Sequence, residues 1–312
     1  MAVRSRTSVE YYCYRDGAVE KGSRHLKFAC LLLAAYICSL PQTTSAAALA
    51  FDFALLPLIN SHWLVAFVAF PVFVGLSTAF AYHYHALALD RRAQELWSTE
   101  EGRALTKIQP KRSISKDLRA EAVHLGNVNA FLTGVLGSGL LVVHILVYPW
   151  ARVRLGVLTF PEFVKDTLIS YIWIDFSAYW LHRLLHTRSL YFLHKSHHKY
   201  NVPIAHAAFA ANPIDFLVFQ ILGMMILALV PLHPLAFVFA AVPTAYHNQV
   251  EHSGISFSGE QPWTPSAKFH DDHHSQYTCN FGFETILWDW GFGTLRKKKR
   301  TYREDTHHDK IF

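Results

Sequence analysis

Residues 164–198 read VKDTLISYIWIDFSAYWLHRLLHTRSLYFLHKSHH. An apolar, aromatic-rich run of helical length passes without a break into His182-x-x-x-His186, and His194-x-x-His197-His198 follows at once. A helix of this kind that ends in histidines puts a ligand cluster at a membrane surface rather than at its middle. Ligands spaced i, i+4 leave one helical face about 5–6 Å apart at Cβ, so His182 and His186 can converge on one ion. A third box, His270-x-x-His273-His274, repeats the spacing of the second. In each HxxHH box the adjacent pair diverges by about 100°, so one box can serve two ions. Eight imidazoles are too many for one four-coordinate ion and suit a pair of metals with four or five nitrogens each. His25, His62, His83, His85, His124, His144 and His233 read as ordinary core or surface groups, and His307 and His308 as solvated.

The rest of the chain agrees with a membrane setting. Of 312 residues, 52% are hydrophobic, and 62–89 and 126–150 each exceed the roughly 20 residues that cross a bilayer. With 164–181 they are expected transmembrane helices. Asp175, inside the last of them, should face the protein interior. Two shorter apolar runs, 214–230 and 232–247, hinge at Pro231-Leu232-His233-Pro234 and read as a helical hairpin that either just spans or, re-entrant, dips in and returns. The hairpin returns the chain to the side it left, bringing His247, His252 and the third box to the first two. Residues 26–40 and 46–59 form a further apolar stretch, read as a retained helix in preference to a signal peptide.

The net charge of +6 comes largely from the segment 90–125 and from Arg296-Lys297-Lys298-Lys299-Arg300. Basic loops mark the cytosolic side, and the crossings between 125 and 182 return the first box to that side. Basic residues beside a membrane need no nucleic acid to explain them. Cys13, Cys30, Cys38 and Cys279 show no paired spacing. The chain carries no Gly-rich phosphate loop or nucleotide fingerprint, so reducing equivalents must come from another protein. The expected fold is therefore all-α, polytopic, with about four transmembrane helices, the re-entrant hairpin and a cytosolic histidine-rich helical cap. Its expected divisions are N-terminal membrane helices and basic loop (1–160), catalytic domain (161–300) and polar tail (301–312).

These motifs together resemble the fatty acid hydroxylase and sterol desaturase superfamily of membrane-bound histidine-box oxygenases. The resemblance covers roughly residues 160–300. It rests on Asp175-x-x-x-Tyr179-Trp180-x-His182-Arg183-x-x-His186, Phe192-x-His194-Lys195-x-His197-His198 and Glu251-His252-Ser253-Gly254. It continues through His270-Asp271-Asp272-His273-His274, Asn280-Phe281-Gly282 and Leu287-Trp288-Asp289. It implies a di-iron centre, with O2 as co-substrate, that oxidises unactivated C–H bonds of a lipid by hydroxylation, methyl oxidation or desaturation. Carried over by position, the ligands are His182, His186, His194, His197, His198, His270, His273 and His274, with His252 a further ligand and His247 another candidate. Supporting the ligands are Asp175, His206, Glu251, Asp271 and Asp289, the carboxylates fixing imidazole tautomers. The resemblance also implies a sterol, or else a fatty acid or sphingolipid, as substrate. It implies a cytochrome b5-type electron donor docking on the cationic surface that includes Lys297–Arg300, and an endoplasmic reticulum membrane with the site facing the cytosol. One element departs from the pattern: where sterol carbon-4 methyl oxidases show His-Pro-x-Glu, this chain has Asn212-Pro213-Ile214-Asp215.

An all-imidazole site also accepts zinc, so the histidines alone do not select iron. The rival class, a metal transporter or sensor, predicts ligands at mid-membrane depth on crossing helices.

Overall fold

The computed structural model describes residues 65–147, 158–257 and 263–296. The apolar stretch 26–59, Lys297–Arg300 and His25, His62, His307 and His308 lie outside them. All regular structure among the described residues is helical, apart from one isolated antiparallel bridge between Lys107 and Ile255.

A π-helical turn, Val65–Ala69, leads into α1 (Phe70–Leu96). The short α2 (Glu100–Thr106), capped by the Thr99 hydroxyl, precedes α3 (Lys116–Val147). Together Val65–Leu96 and Lys116–Val147 are the two described helices long and apolar enough to cross a membrane. Their apolar side chains point outward: Phe73 and Phe80 are 69% and 73% exposed, a surface that suits lipid and not water. Where the two helices meet, glycines permit close approach. A Cβ on Gly134 would stand 2.7 Å from the Gly75 Cα and from the Val74 carbonyl.

The helix α4 (Phe160–Leu185) begins at a capping box, the Glu162 carboxylate accepting from the Thr159 N–H at 3.0 Å. It is long enough to span, but Glu162, Lys165, Asp166, Asp175 and Arg183 keep it out of the apolar class that α1 and α3 satisfy. The structure thus supplies two such spans among the described residues, where four were expected over the whole chain.

After α4 come α5 (Tyr191–His198) and a 3-10 turn, Ala205–Phe209. This turn is held from beneath by Asn129 of α3, whose Nδ2 donates to the carbonyls of Phe209 and Ala211 at 2.7 and 3.0 Å. The hairpin follows as α6 (Pro213–Met224), α7 (Ile226–Leu229) and α8 (Pro234–Glu251). Both long arms open with proline after a side-chain cap, from Asn212 and from His233. α8 packs along α4, and the buried Asp166 on α4 accepts the His233 N–H at 2.9 Å, fixing the bend. Finally α9 (Ala267–Gln276), capped by Ser266, and α10 (Leu287–Gly291) complete the cap. The basic segment after α2 joins it: Gln109 Nε2 donates to Asp271 at 2.6 Å, and Arg112 to Asn201 at 3.2 Å.

Candidate metal centre

Four elements bring the histidines together. The last turn of α4 carries His182 and ends on His186, α5 carries His194, His197 and His198, the end of α8 carries His252, and α9 carries His270, His273 and His274. They sort into two groups, each with its ligand atoms within 4.8 Å of one another: His182, His186, His194, His198 and His273, then His197, His252, His270 and His274. In the first group the His186 and His198 Nε2 atoms are 3.0 Å apart, and those of His273 and His198 3.3 Å. In the second, His252 Nε2 lies 3.2 Å from that of His197 and 2.9 Å from that of His270, which is 3.0 Å from that of His274. Nitrogens side by side on one octahedral ion, with bonds of about 2.1 Å, stand about 3.0 Å apart. The spacing therefore fits one ion per group.

Anchors behind the rings set their tautomers. His182 Nδ1 bonds the Phe281 carbonyl at 3.0 Å, His273 Nδ1 the Cys279 carbonyl at 2.8 Å, and His252 Nδ1 the Asn248 carbonyl at 2.9 Å. His194 Nδ1 bonds the Asp215 carboxylate at 2.8 Å. A carbonyl only accepts, and so does a carboxylate, so each Nδ1 holds the hydrogen and each Nε2 turns a lone pair inward. The Nε2 atoms of His182 and His194 are buried without a hydrogen-bond partner, as ligand nitrogens awaiting a cation would be.

Burial disfavours the charged form of His182, His186, His197, His198, His252, His270, His273 and His274. It is the largest cause holding His197, His198, His270 and His274 well below 6.5, reinforced by neighbouring imidazoles. Burial also lowers His273 to about 3 and His252 to about 4, although their bonds to the Cys279 and Asn248 carbonyls act in the opposite sense. A neutral imidazole is the form that binds metal, so the ligands need lose no proton near neutral pH.

The carboxylates named from the sequence occupy several roles. Asp175 accepts from the N–H groups of Glu284 and Thr285, the Thr285 hydroxyl and the Trp288 indole, so it clamps the loop before α10 to α4. Asp289 accepts from the N–H groups of Phe281 and Gly282 and from the Thr294 hydroxyl, holding the turn whose carbonyl receives His182. That turn requires glycine at 282, since a Cβ there would meet the Thr285 carbonyl at 2.5 Å. Asp271 receives Gln109, and Asp272 pairs with Arg296 at 2.7 Å. Glu251 and His247 lie one turn apart and 3.8 Å from each other, with His247 outside both histidine groups. His206 is also outside them; its Nε2 is 3.1 Å from His83 Nδ1. Asp215 supports a ligand directly, and the sequence reading assigned it no such role. Its signal was the Asn-Pro-x-Asp element, which places an acid on the first turn of α6.

A cavity of about 560 Å³ leads to the histidines from among α1, α3, α4, α6 and α8. Its wall is chiefly apolar, and its inner end is formed by His182 and His194 of the first group and His197, His252 and His270 of the second. Phe219 and Phe283, with ring centroids 5.6 Å apart, flank the His182 ring at this end.

The family model for fatty acid hydroxylases matches residues 167–294, a stretch that contains all nine grouped histidines. Over this stretch the chain is similar to the fatty acid hydroxylase and sterol desaturase superfamily. The chain is 28% identical to a Delta(7)-sterol 5(6)-desaturase of Gibberella zeae over 66% of this chain and 59% of the relative. It is 29% identical to methylsterol monooxygenase 1-1 of Arabidopsis thaliana over 46% and 51%. A very-long-chain aldehyde decarbonylase of Oryza sativa is 33% identical over 44% and 54%. The chain thus spans between half and three-fifths of the length of these relatives. No solved structure matches it.

Proposed function

We propose that this protein is an O2-dependent oxidase of a membrane lipid, of sterol type, built on a histidine-held pair of iron ions. The observation that carries the reading is the apolar cavity whose inner end is made of histidines from both groups. His182, His186, His194, His198 and His273 would hold one ion, and His197, His252, His270 and His274 the other. When bound, the pair supplies the O2-activating chemistry needed to remove hydrogen from an unactivated C–H bond. The chain's own residues do the rest. The Phe281, Cys279 and Asn248 carbonyls and Asp215 keep hydrogens on Nδ1, so every Nε2 they control stays available. The apolar wall excludes water and fixes the lipid's depth, and Phe219 and Phe283 narrow its approach beside His182.

Two of the compared relatives are named for sterol substrates, which favours a sterol over a fatty acid or sphingolipid. Hydroxylation and desaturation both begin by removing one hydrogen, and both consume one O2, two electrons and two protons. The electrons are assigned to a cytochrome b5-type carrier. The endoplasmic reticulum membrane, with the histidine cap facing the cytosol, suits a cap bonded to the basic segment at Gln109 and Arg112. Transport is disfavoured because none of the nine histidines lies on α1 or α3, the two described helices apolar enough to span.

The test is a mass-spectrometric lipid profile of cells expressing the intact protein beside cells expressing His273→Ala. A lipid that gains one oxygen, or loses two hydrogens, only with the intact protein supports the proposal. Identical profiles in cells that also supply the electron carrier refute it.

A further inference from the structure

The nine grouped histidines are not equally covered. Eight are buried, and His186 alone reaches intermediate exposure. His186 is also absent from the cavity wall, as are His198, His273 and His274. Two tyrosines cover this side. The Tyr191 ring lies 5.6 Å from that of His186 and 6.0 Å from that of His198, while Tyr277 lies 4.9 Å from His198 and 6.4 Å from His186. The tyrosine rings are 6.1 Å apart. Tyr277 takes a left-handed backbone, φ 63°, at the end of α9, a position that usually falls to glycine. The bulky ring there is what closes over His198.

The chain around this edge is rich in basic residues. From Phe176 to Ile214 the chain has no Asp or Glu, yet it carries Arg183, Arg188, Lys195 and Lys199. Arg183 donates to the Tyr179 hydroxyl and Lys199 pairs with Glu121. Arg188 and Lys195 are exposed. Phe192, 70% exposed, stands beside Tyr191. Lys195 lies one helical turn from Phe192 on α5, and exposed cations next to an exposed apolar side chain complement an acidic protein surface.

We propose that electrons enter the centre at His186, through the edge framed by Tyr191 and Tyr277, and that an acidic one-electron carrier docks there on Arg188 and Lys195. The inference rests on the dimetal oxidase reading above. Electron transfer weakens steeply with distance, so a carrier that cannot enter the protein must address the ligand nearest the surface. Separating this face from the lipid cavity lets the carrier approach while substrate stays bound. Two carriers, or one carrier twice, deliver two electrons; with two protons and one O2 they balance oxidation of one C–H bond to an alcohol and one water.

The experiment uses the full chain, metal-loaded and oxidised in lipid nanodiscs, with the reduced soluble haem domain of a cytochrome b5 as probe. Carrier binding is measured by titration and metal reduction by stopped-flow absorbance, at low and high salt. Arg188→Glu with Lys195→Glu should weaken binding about tenfold or more at low salt and remove most of the salt dependence. Metal content and reduction by dithionite, which needs no docking, should stay at wild-type values. Tyr191→Leu should slow reduction within the complex while binding is kept. Wild-type binding and salt dependence in the charge-reversed protein would overturn the inference, as would an equal loss from Arg91→Glu with Arg92→Glu on the basic segment. A wild-type protein with no redox-active metal would overturn the dimetal reading and this inference with it; intact metal with unaltered docking overturns this inference alone.

Discussion

Replacing Asp215 with alanine tests the link between one hydrogen bond and one metal. The carboxylate is 1% exposed and meets His194 Nδ1 at 2.8 Å. Without it, the imidazole loses the contact that keeps the hydrogen on Nδ1 and the lone pair on Nε2. Truncating the partner of a buried donor costs roughly 1–3 kcal/mol, and removing an acceptor behind a metal-bound histidine typically lowers affinity about 10–100-fold. The two scales agree, because a factor of ten is about 1.4 kcal/mol. The loss should fall on the group of His182, His186, His194, His198 and His273 and spare that of His197, His252, His270 and His274. Asp215→Asn, whose amide oxygen can still accept from Nδ1, should fall between alanine and the wild type. Chelator competition read by mass-spectrometric metal counting would show one ion per chain released at about 10–100-fold lower chelator concentration. If Asp215→Ala holds both ions with wild-type affinity, the carboxylate does not control His194 and the argument from tautomers fails.

Other outcomes follow from the same contacts. Asp175→Ala strands three donors in the loop before α10 and the Trp288 indole on it, and should lower stability by several kcal/mol, on the order of 1–3 per stranded group before relaxation; unchanged melting in detergent would contradict the clamp. Gly134→Leu should force α1 and α3 apart, since even a Cβ meets Thr78 Oγ1 at 2.6 Å, at about 1–3 kcal/mol, again read by melting. Phe219→Ala should leave two metals bound but spread oxidation over neighbouring carbons of the lipid; an unaltered product distribution would remove Phe219 from substrate positioning. His206, lowered to about 4 by burial despite the nearby Asp90, resists protonation in the folded state. Its contribution is full above the unfolded value near 6.5 and is lost as pH falls from there toward 4, by about 1–3 kcal/mol. His206→Gln should flatten that part of the stability curve relative to wild type, and parallel curves would show that His206 does not set it.

How far the site could be read in advance depends on which atoms build it. Ligands announce themselves, because histidine is scarce and its spacing on a helix is diagnostic. Anchors do not: the carbonyls of Phe281, Cys279 and Asn248 are backbone groups, which any residue can offer. Asp215 carries a side-chain signal, but an acid on the first turn after Asn-Pro is also what a helix start ordinarily shows. For the same reason Asp175 and Asp289, visible as polar residues in apolar surroundings, gave no indication that they hold a loop rather than an imidazole. Two candidate membrane helices are legible from hydropathy, although α3 starts at Lys116, ahead of the apolar run at 126, because its charged first turns are helical too.

The two HxxHH boxes also carry the pairing of the metals, in a form that helical geometry explains. From the second box, His194 and His198 go to the first group and His197 to the second; from the third box, His270 and His274 go to the second group and His273 to the first. In each case the i, i+4 pair stays together and the residue at i+3 crosses over, as the divergence of about 100° between adjacent positions requires. The exchange is reciprocal, so α5 and α9 each hold both groups and neither can move without disturbing both. A single box could bring two ions near one helix but leave each short of ligands. Two boxes of identical spacing on facing helices, with His182, His186 and His252 added, give five nitrogens and four, and so the repeat in the sequence is the means by which two short helices could enclose two ions.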